Sequence, residues 1–157
     1  MSSSQKREDL IQELITQFRY VSANSVMFSQ AVADKVGLHS TDNECLDFLI
    51  LNGPSTAGQL AKYTGLTTGA VTAMVDRLIK AGYVRRQHSE EDRRKVVIIP
   101  NEEKIGQEIS PYSVPMGAAL IKVCEEFSED ELAVIAQFMA KANALAADVI
   151  AQTRGEK

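Results

Sequence analysis

The 157-residue sequence has no tryptophan, only two cysteines, two histidines and four prolines, and its aromatic residues make up 6% of the chain. Cys45 and Cys124 stand far apart, so neither a disulfide framework nor a paired-cysteine zinc site is expected. His39 and His88 are isolated, and no metal-ligand spacing forms around them. Nucleophile motifs with a companion base and glycine-rich phosphate loops are missing, and the acidic pairs Glu90-Glu91, Glu102-Glu103 and Glu125-Glu126 fall at expected turn or helix ends. A binding protein without cofactors, not an enzyme, is expected. No apolar stretch approaches the roughly 18 to 20 residues that span a bilayer, and Met1 to Leu10 is polar and charged with no apolar signal region. The expected location is therefore the cytoplasm, with no membrane partner.

Positive charge is not in excess either. Lys and Arg number 17 against 21 Asp and Glu, a formal net charge of −4, which argues against simple coating of a polyanion. With 45% apolar and 24% charged residues the chain has the composition of a folded domain. The charge is unevenly spread, however. Residues 1–53 are net −3, residues 54–100 net +4 and residues 101–157 net −5. A basic block flanked by acidic ends is a local electrostatic footprint.

Periodicity supplies the elements. Ile11, Leu14, Ile15, Phe18 and Val21 recur at helical steps and predict an amphipathic helix from about Glu8 to Lys35, stopped by Gly37. Thr41 with Glu44 reads as a capping box opening a second helix, with Leu46, Leu49 and Ile50 inward, that ends at Asn52 and Gly53. Thr56 with Gln59 opens a short third helix through Tyr63, and Thr64-Gly65 turns into a fourth, capped by Thr67, with Val71, Val75, Leu78 and also Met74 and Ile79 inward. Tyr83 to Arg86 and Val96 to Ile99 flank a charged tip and read as a hairpin. Pro100 and Asn101 end it and cap a fifth helical region, expected to kink at Pro111 and Pro115 and to resume toward Phe127. Ser128 with Glu131 caps a last helix whose stripe is Leu132, Ile135, Met139, Ala142, Ala146 and Val149.

Residues 56–99 therefore read as a winged helix-turn-helix, whose second helix can enter a DNA major groove about 12 Å wide. With Val71, Val75 and Leu78 inward, the helical step turns Thr68, Gly69, Thr72, Ala73, Asp76 and Arg77 outward. Thr68 and Thr72 offer hydroxyls to bases or phosphates, and Gly69 lets the backbone come close. Thr67 has a competing role, since capping alone explains it. Arg93 and Arg94 at the hairpin tip suit a narrow minor groove, with Asp92 placed to hold one guanidinium. Arg85 and Arg86, at the base of the hairpin, join them as candidate DNA contacts. A winged helix used to grip an acidic protein partner is the rival, as is a merely solvated charged turn.

The strings Thr56-Ala57-Gly58-Gln59-Leu60-Ala61, Leu66-Thr67-Thr68-Gly69-Ala70-Val71-Thr72, Val75-Asp76-Arg77-Leu78, Ala81-Gly82-Tyr83-Val84 and Asp92-Arg93-Arg94, in this order and spacing, resemble the multiple antibiotic resistance regulator (MarR) family. The resemblance extends to Phe127-Ser128-Glu129-Asp130-Glu131-Leu132 and covers nearly the whole chain. It implies a mainly α fold with a small β-hairpin wing. The winged helix-turn-helix, here residues 38–100, would be inserted between N- and C-terminal dimerisation helices in residues 1–37 and 101–157. It also implies a homodimeric transcriptional regulator, usually a repressor, on a pseudo-palindromic double-stranded DNA operator, often released by a small aromatic or phenolic effector.

By position, the family's wing motif falls on Asp92 and Arg94, and its recognition-helix positions fall on Thr67, Thr68, Gly69, Thr72 and Arg77. The Leu-Thr with a nearby Gly that often follows the wing is replaced by Ile99-Pro100-Asn101. The first helix lacks the cysteine of the family's peroxide sensors, and Cys45 and Cys124 both read as small buried residues. No Trp-containing pocket is possible. Phe18, Tyr20, Met27 and Tyr112 read as core, or as lining for a generic pocket.

Overall fold

A computed structural model describes residues 3–90 and 92–155 of the chain; Glu91, one of the acidic residues expected at the hairpin tip, lies outside the described residues. The elements run α1 (Ser3–Val36), α2 (Ser40–Asn52), β1 (Ser55–Thr56), α3 (Ala57–Thr64), α4 (Thr68–Lys80), β2 (Val84–His88), β3 (Val96–Pro100), α5 (Glu102–Glu108), α6 (Ser110–Cys124) and α7 (Glu129–Thr153). They fall into two compact units divided after Ser113, inside α6.

In the first unit, α2, α3, α4 and the sheet enclose a core of Leu46, Leu49, Leu60, Val71, Met74, Val75, Leu78 and Ile98, completed by Tyr83, Val84, Ile105 and Ile109. The expected inner face of α4 is buried throughout, with Ile79 half-buried at its margin. Ile50, expected inward on α2, is exposed instead, because Leu46 and Leu49 already fill the inward side of that helix. Cys45 is fully buried there, and its thiol is pushed up to about 12, first by burial and then by the charge of Asp42. Ser29 of α1 accepts a 3.3 Å hydrogen bond from Asn43 Nδ2 of α2, while the buried Asn43 Oδ1 has no hydrogen-bond partner among the described residues.

Local signals account for most helix boundaries. Thr56 Oγ1 accepts from the Gln59 amide at 3.2 Å and Gln59 Oε1 accepts from the Thr56 amide at 2.7 Å, the reciprocal capping box expected for α3. Gly65 then closes α3 in the left-handed region at φ 72°. For α2 the expected box is wrong. The helix begins at Ser40, with His39 extended as its N-cap, so Thr41 and Glu44 lie inside the first turns and do not cap. The His39 carbonyl instead accepts from the amides of Asp42 and Asn43 at 3.0 and 3.1 Å.

The sheet has three antiparallel strands in the order β1-β3-β2, so β3 is central. Two-residue β1, absent from the sequence expectations, pairs Ser55 with Ile98 and Thr56 with Val97. β2 runs on to His88, beyond the expected Arg86. Pro100 is the last strand residue, opposite Val84, and does not stop the strand before itself. A proline is tolerated there because it sits at a strand end, past the reach of β1, and the ladder resumes with the Asn101 amide donating to the Tyr83 carbonyl at 2.8 Å.

Asn101 Oδ1 caps α5, accepting from the Lys104 amide at 3.2 Å. The fifth helical region breaks at Ile109, before Pro111, which then falls in the first turn of α6, where a missing amide costs nothing. Pro115 lies inside α6 and does not end it. Tyr83, next to this junction, donates to Glu108 Oε2 at 2.7 Å, and Glu108 also receives Lys104 Nζ at 2.7 Å. Burial, and then that bond, push the Tyr83 hydroxyl up to about 12.

Tyr83 and Cys45 both hold their protons more tightly in the folded state than their ordinary values of 10 and 9 imply. Their stabilisation is complete below pH 9 and is lost as pH rises through the window from 9 to 12. Denaturation at pH 8 and pH 10 is expected to show a loss of roughly 1 to 2 kcal/mol, flattened in a Cys45→Ala, Tyr83→Phe double variant. An equal loss in that variant would remove the assignment.

In the second unit, Ser128 and Glu131 form the expected capping box, with Ser128 N donating to Glu131 Oε2 at 2.8 Å. The α7 stripe is not buried within the chain: Ile135, Met139 and Val149 are exposed and only Leu132 and Ala142 are half-buried. Cys124 is half-buried, not core, because α6 buries no residue. By length and composition α7 could cross a membrane, with an 18-residue window of mean hydropathy 1.3, which corrects the expectation that no stretch reaches this length. In α1, likewise, Leu10, Ile11, Leu14, Ile15 and Val21 are exposed, and so are Tyr20, Met27 and Tyr112, which were expected in a core.

Candidate nucleic-acid interface

α3, the turn at Gly65 and α4 form the helix-turn-helix, and β2, β3 and the intervening tip form the wing. Thr67 caps α4, its Oγ1 accepting from the Ala70 amide at 3.3 Å, so its side chain is engaged locally. Thr68, Gly69 and Thr72 are exposed on the first turns of the helix. Thr72 donates its hydroxyl to the Thr68 carbonyl at 2.9 Å, which leaves the oxygen lone pairs outward as acceptors. A Cβ at Gly69 would meet no protein atom within 4 Å, so nothing in the fold itself requires glycine there. The start of α4 thus presents small side chains, and its helix dipole attracts anions.

The wing tip is braced from several sides. The Arg94 amide donates to Asp92 Oδ1 at 3.1 Å, and Arg94 Nε donates to the same oxygen at 3.2 Å. These two bonds hold the Asp92 carboxyl below the usual carboxylate range, the backbone bond contributing most. The Lys95 amide closes the turn onto the Asp92 carbonyl at 2.8 Å, and His88 Nδ1 meets the Arg93 carbonyl at 2.9 Å. Asp92 therefore fixes the Arg94 chain at Nε and leaves both terminal nitrogens outward on a side chain that is 92% exposed.

The other candidate cations divide into two kinds. Arg85 and Arg93 are exposed and have no side-chain partner among the described residues. Arg86 and Arg77, on the other hand, are engaged. Arg86 Nη1 lies 2.9 Å from Asp76 Oδ1, tying β2 to the outward face of α4. Arg77 turns its guanidinium back onto α2, where the buried Asp42 receives Nε at 3.1 Å and Nη2 at 2.6 Å. Asp42 was not singled out from the sequence. Its signal is an acid among inward positions of α2, next to Asn43, Cys45 and Leu46, and a buried acid demands a cation. Asp76 is exposed, as the helical step predicts, and its partner on β2 is a contact that periodicity does not reveal.

The start of α4 thus exposes small polar side chains, and the wing tip exposes Arg93 and Arg94. The sequence model of the MarR family matches residues 37–95. The chain is 42% identical over 142 residues to YcgE, an uncharacterized HTH-type transcriptional regulator of Bacillus subtilis strain 168, and the match covers 90% of this chain and 92% of YcgE. The structure of a MarR family protein from Bacillus stearothermophilus is similar with a TM-score of 0.67 and 25% identity, covering 88% of this chain and 96% of that one. The crystal structure of overoxidized AbfR bound to DNA shares the fold, with a TM-score of 0.51 and 18% identity over 90% of this chain and 98% of that one.

Proposed function

Since the chain belongs to the MarR family of transcriptional regulators, we propose that it is a cytoplasmic repressor that binds a pseudo-palindromic DNA operator as a homodimer. Two recognition helices α4 then enter successive major grooves about 34 Å apart, and the two wings reach the flanking minor grooves. The observation that carries this reading is Arg94, held at Nε by Asp92 with no partner on its terminal nitrogens among the described residues, at the tip of a braced hairpin. Such a fork fits a narrow groove of enhanced negative potential better than a flat protein surface.

Thr68, Gly69 and Thr72 are assigned to the major groove, with Thr67 capping beside them, and Arg85, Arg86 and Arg93 to phosphates. Dimerisation is supported by the large apolar residues left exposed on α1 and, separately, on α7, since exposed apolar patches commonly mark interaction surfaces. Release by a small aromatic or phenolic effector is part of the proposal and rests on family membership alone.

Titration against DNA upstream of the protein's own gene, at two salt concentrations, tests the reading. Salt-sensitive binding is expected. Failure to select any genomic fragment, or binding indifferent to salt, would overturn it. In the same assay Arg94→Ala is expected to weaken operator binding by about 1 to 3 kcal/mol with the oligomeric state unchanged. Undiminished affinity would remove the wing from the interface.

A further inference from the structure

We propose that Asp42 is a positioning residue for DNA recognition, holding the Arg77 guanidinium so that its outer edge meets a DNA phosphate with its orientation already fixed. The inference rests on the reading of α4 as the recognition helix.

Asp42 is 1% exposed and belongs to α2, while Arg77 lies 35 positions later in the last turns of α4. Both carboxylate oxygens are used, Oδ2 by Nε at 3.1 Å and Oδ1 by Nη2 at 2.6 Å, so the planar guanidinium is fixed in position and in tilt. Two N–H groups on Nη1 and one on Nη2 have no acceptor among the described residues, and the Arg77 side chain remains 45% exposed. A planar set of donors facing solvent from a recognition helix matches the oxygens of a phosphodiester. Because the pair is net neutral, the contact works through direction and not through free charge.

Packing gives no reason for this arrangement, since a buried carboxylate is costly to desolvate and an apolar pair of similar volume serves a core as well or better. The neighbouring Asn43 donates to Ser29 of α1 at 3.3 Å. One turn of α2 thus touches α1 on one side and the recognition helix on the other.

Wild type, Arg77→Lys and Asp42→Asn, each checked for folding by circular dichroism and thermal melting, would be titrated against the operator and an unrelated duplex at several salt concentrations. Arg77→Lys keeps a cation beside Asp42 but has no planar fork, and is expected to weaken operator binding about tenfold while leaving the loosely held unrelated duplex unaffected. Asp42→Asn releases a full charge, so its salt slope is expected to steepen by about one as its preference for the operator falls. A merely structural pair would lower the melting temperature and leave the slope unchanged. If Asp42→Asn does not fold, Arg77→Lys decides: operator affinity equal to wild type, or equal losses on both duplexes, would overturn the proposal. Wild type that selects no operator would overturn the regulator reading and this inference together, whereas wild-type selection with an unaltered Arg77→Lys variant would overturn this inference alone.

Discussion

Ile135→Asp combined with Met139→Asp is expected to convert the protein to monomers and to weaken operator binding by more than about 100-fold. Both residues lie on the 25-residue helix α7, one turn apart on a stripe that stays exposed within the chain. In the proposed dimer, carboxylates buried at the α7 interface would add repulsion to lost apolar burial, and a twofold interface would repeat every substitution on both sides. A monomer carries one α4 and would engage one half-site, so the affinity that the proposed dimer gains from linking two half-sites would disappear. Sedimentation should show the change in mass while helix content persists, because neither side chain is buried in the folded chain. A variant that remains dimeric would remove α7 from the interface.

Leu78→Ala is expected to destabilise the first unit by about 2 to 5 kcal/mol. Leu78 is fully buried on the inner face of α4, in one cluster with Leu46, Leu49 and Met74. Removing its side chain loses transfer free energy and leaves a cavity in the core, which places the outcome in that range. Against a total stability of roughly 5 to 15 kcal/mol for a domain, the loss is large, and it falls on the helix assigned to the major groove. Urea denaturation measures it. A change below about 1 kcal/mol would show that α4 is not seated in the core as described.

What was legible in the sequence was mostly what is local. Thr56 with Gln59 and Ser128 with Glu131 act within one turn, so side-chain chemistry three residues apart was enough to find them. Thr41 with Glu44 has the same pattern and fails, because the chain after Gly37, itself at φ 69°, is already extended at His39 and the helix starts two residues early. The burial of Val71, Val75 and Leu78 followed from periodicity, and their burial sets Thr68 and Thr72 outward.

Contacts across distance were not legible. β1 is two residues long and exists only by pairing with β3 some forty positions later. The partners of Arg77 and Arg86, Asp42 and Asp76, depend on how α2 and β2 pack against α4. Exposure of the α1 and α7 stripes was hidden for a related reason, since periodicity reports an apolar face without saying what covers it.

The sheet order β1-β3-β2 bears on solubility as well as on the site. A small sheet has two open margins, each able to template a strand from another molecule and so to seed aggregates. One margin of this sheet is a strand of two residues, too short to template anything. The other is β2, which carries the exposed Arg85 on one face and Arg86, paired with Asp76, on the other. A second copy of this strand laid against it would bring Arg85 toward its own counterpart, so a side chain assigned to phosphate also disfavours wing-to-wing pairing.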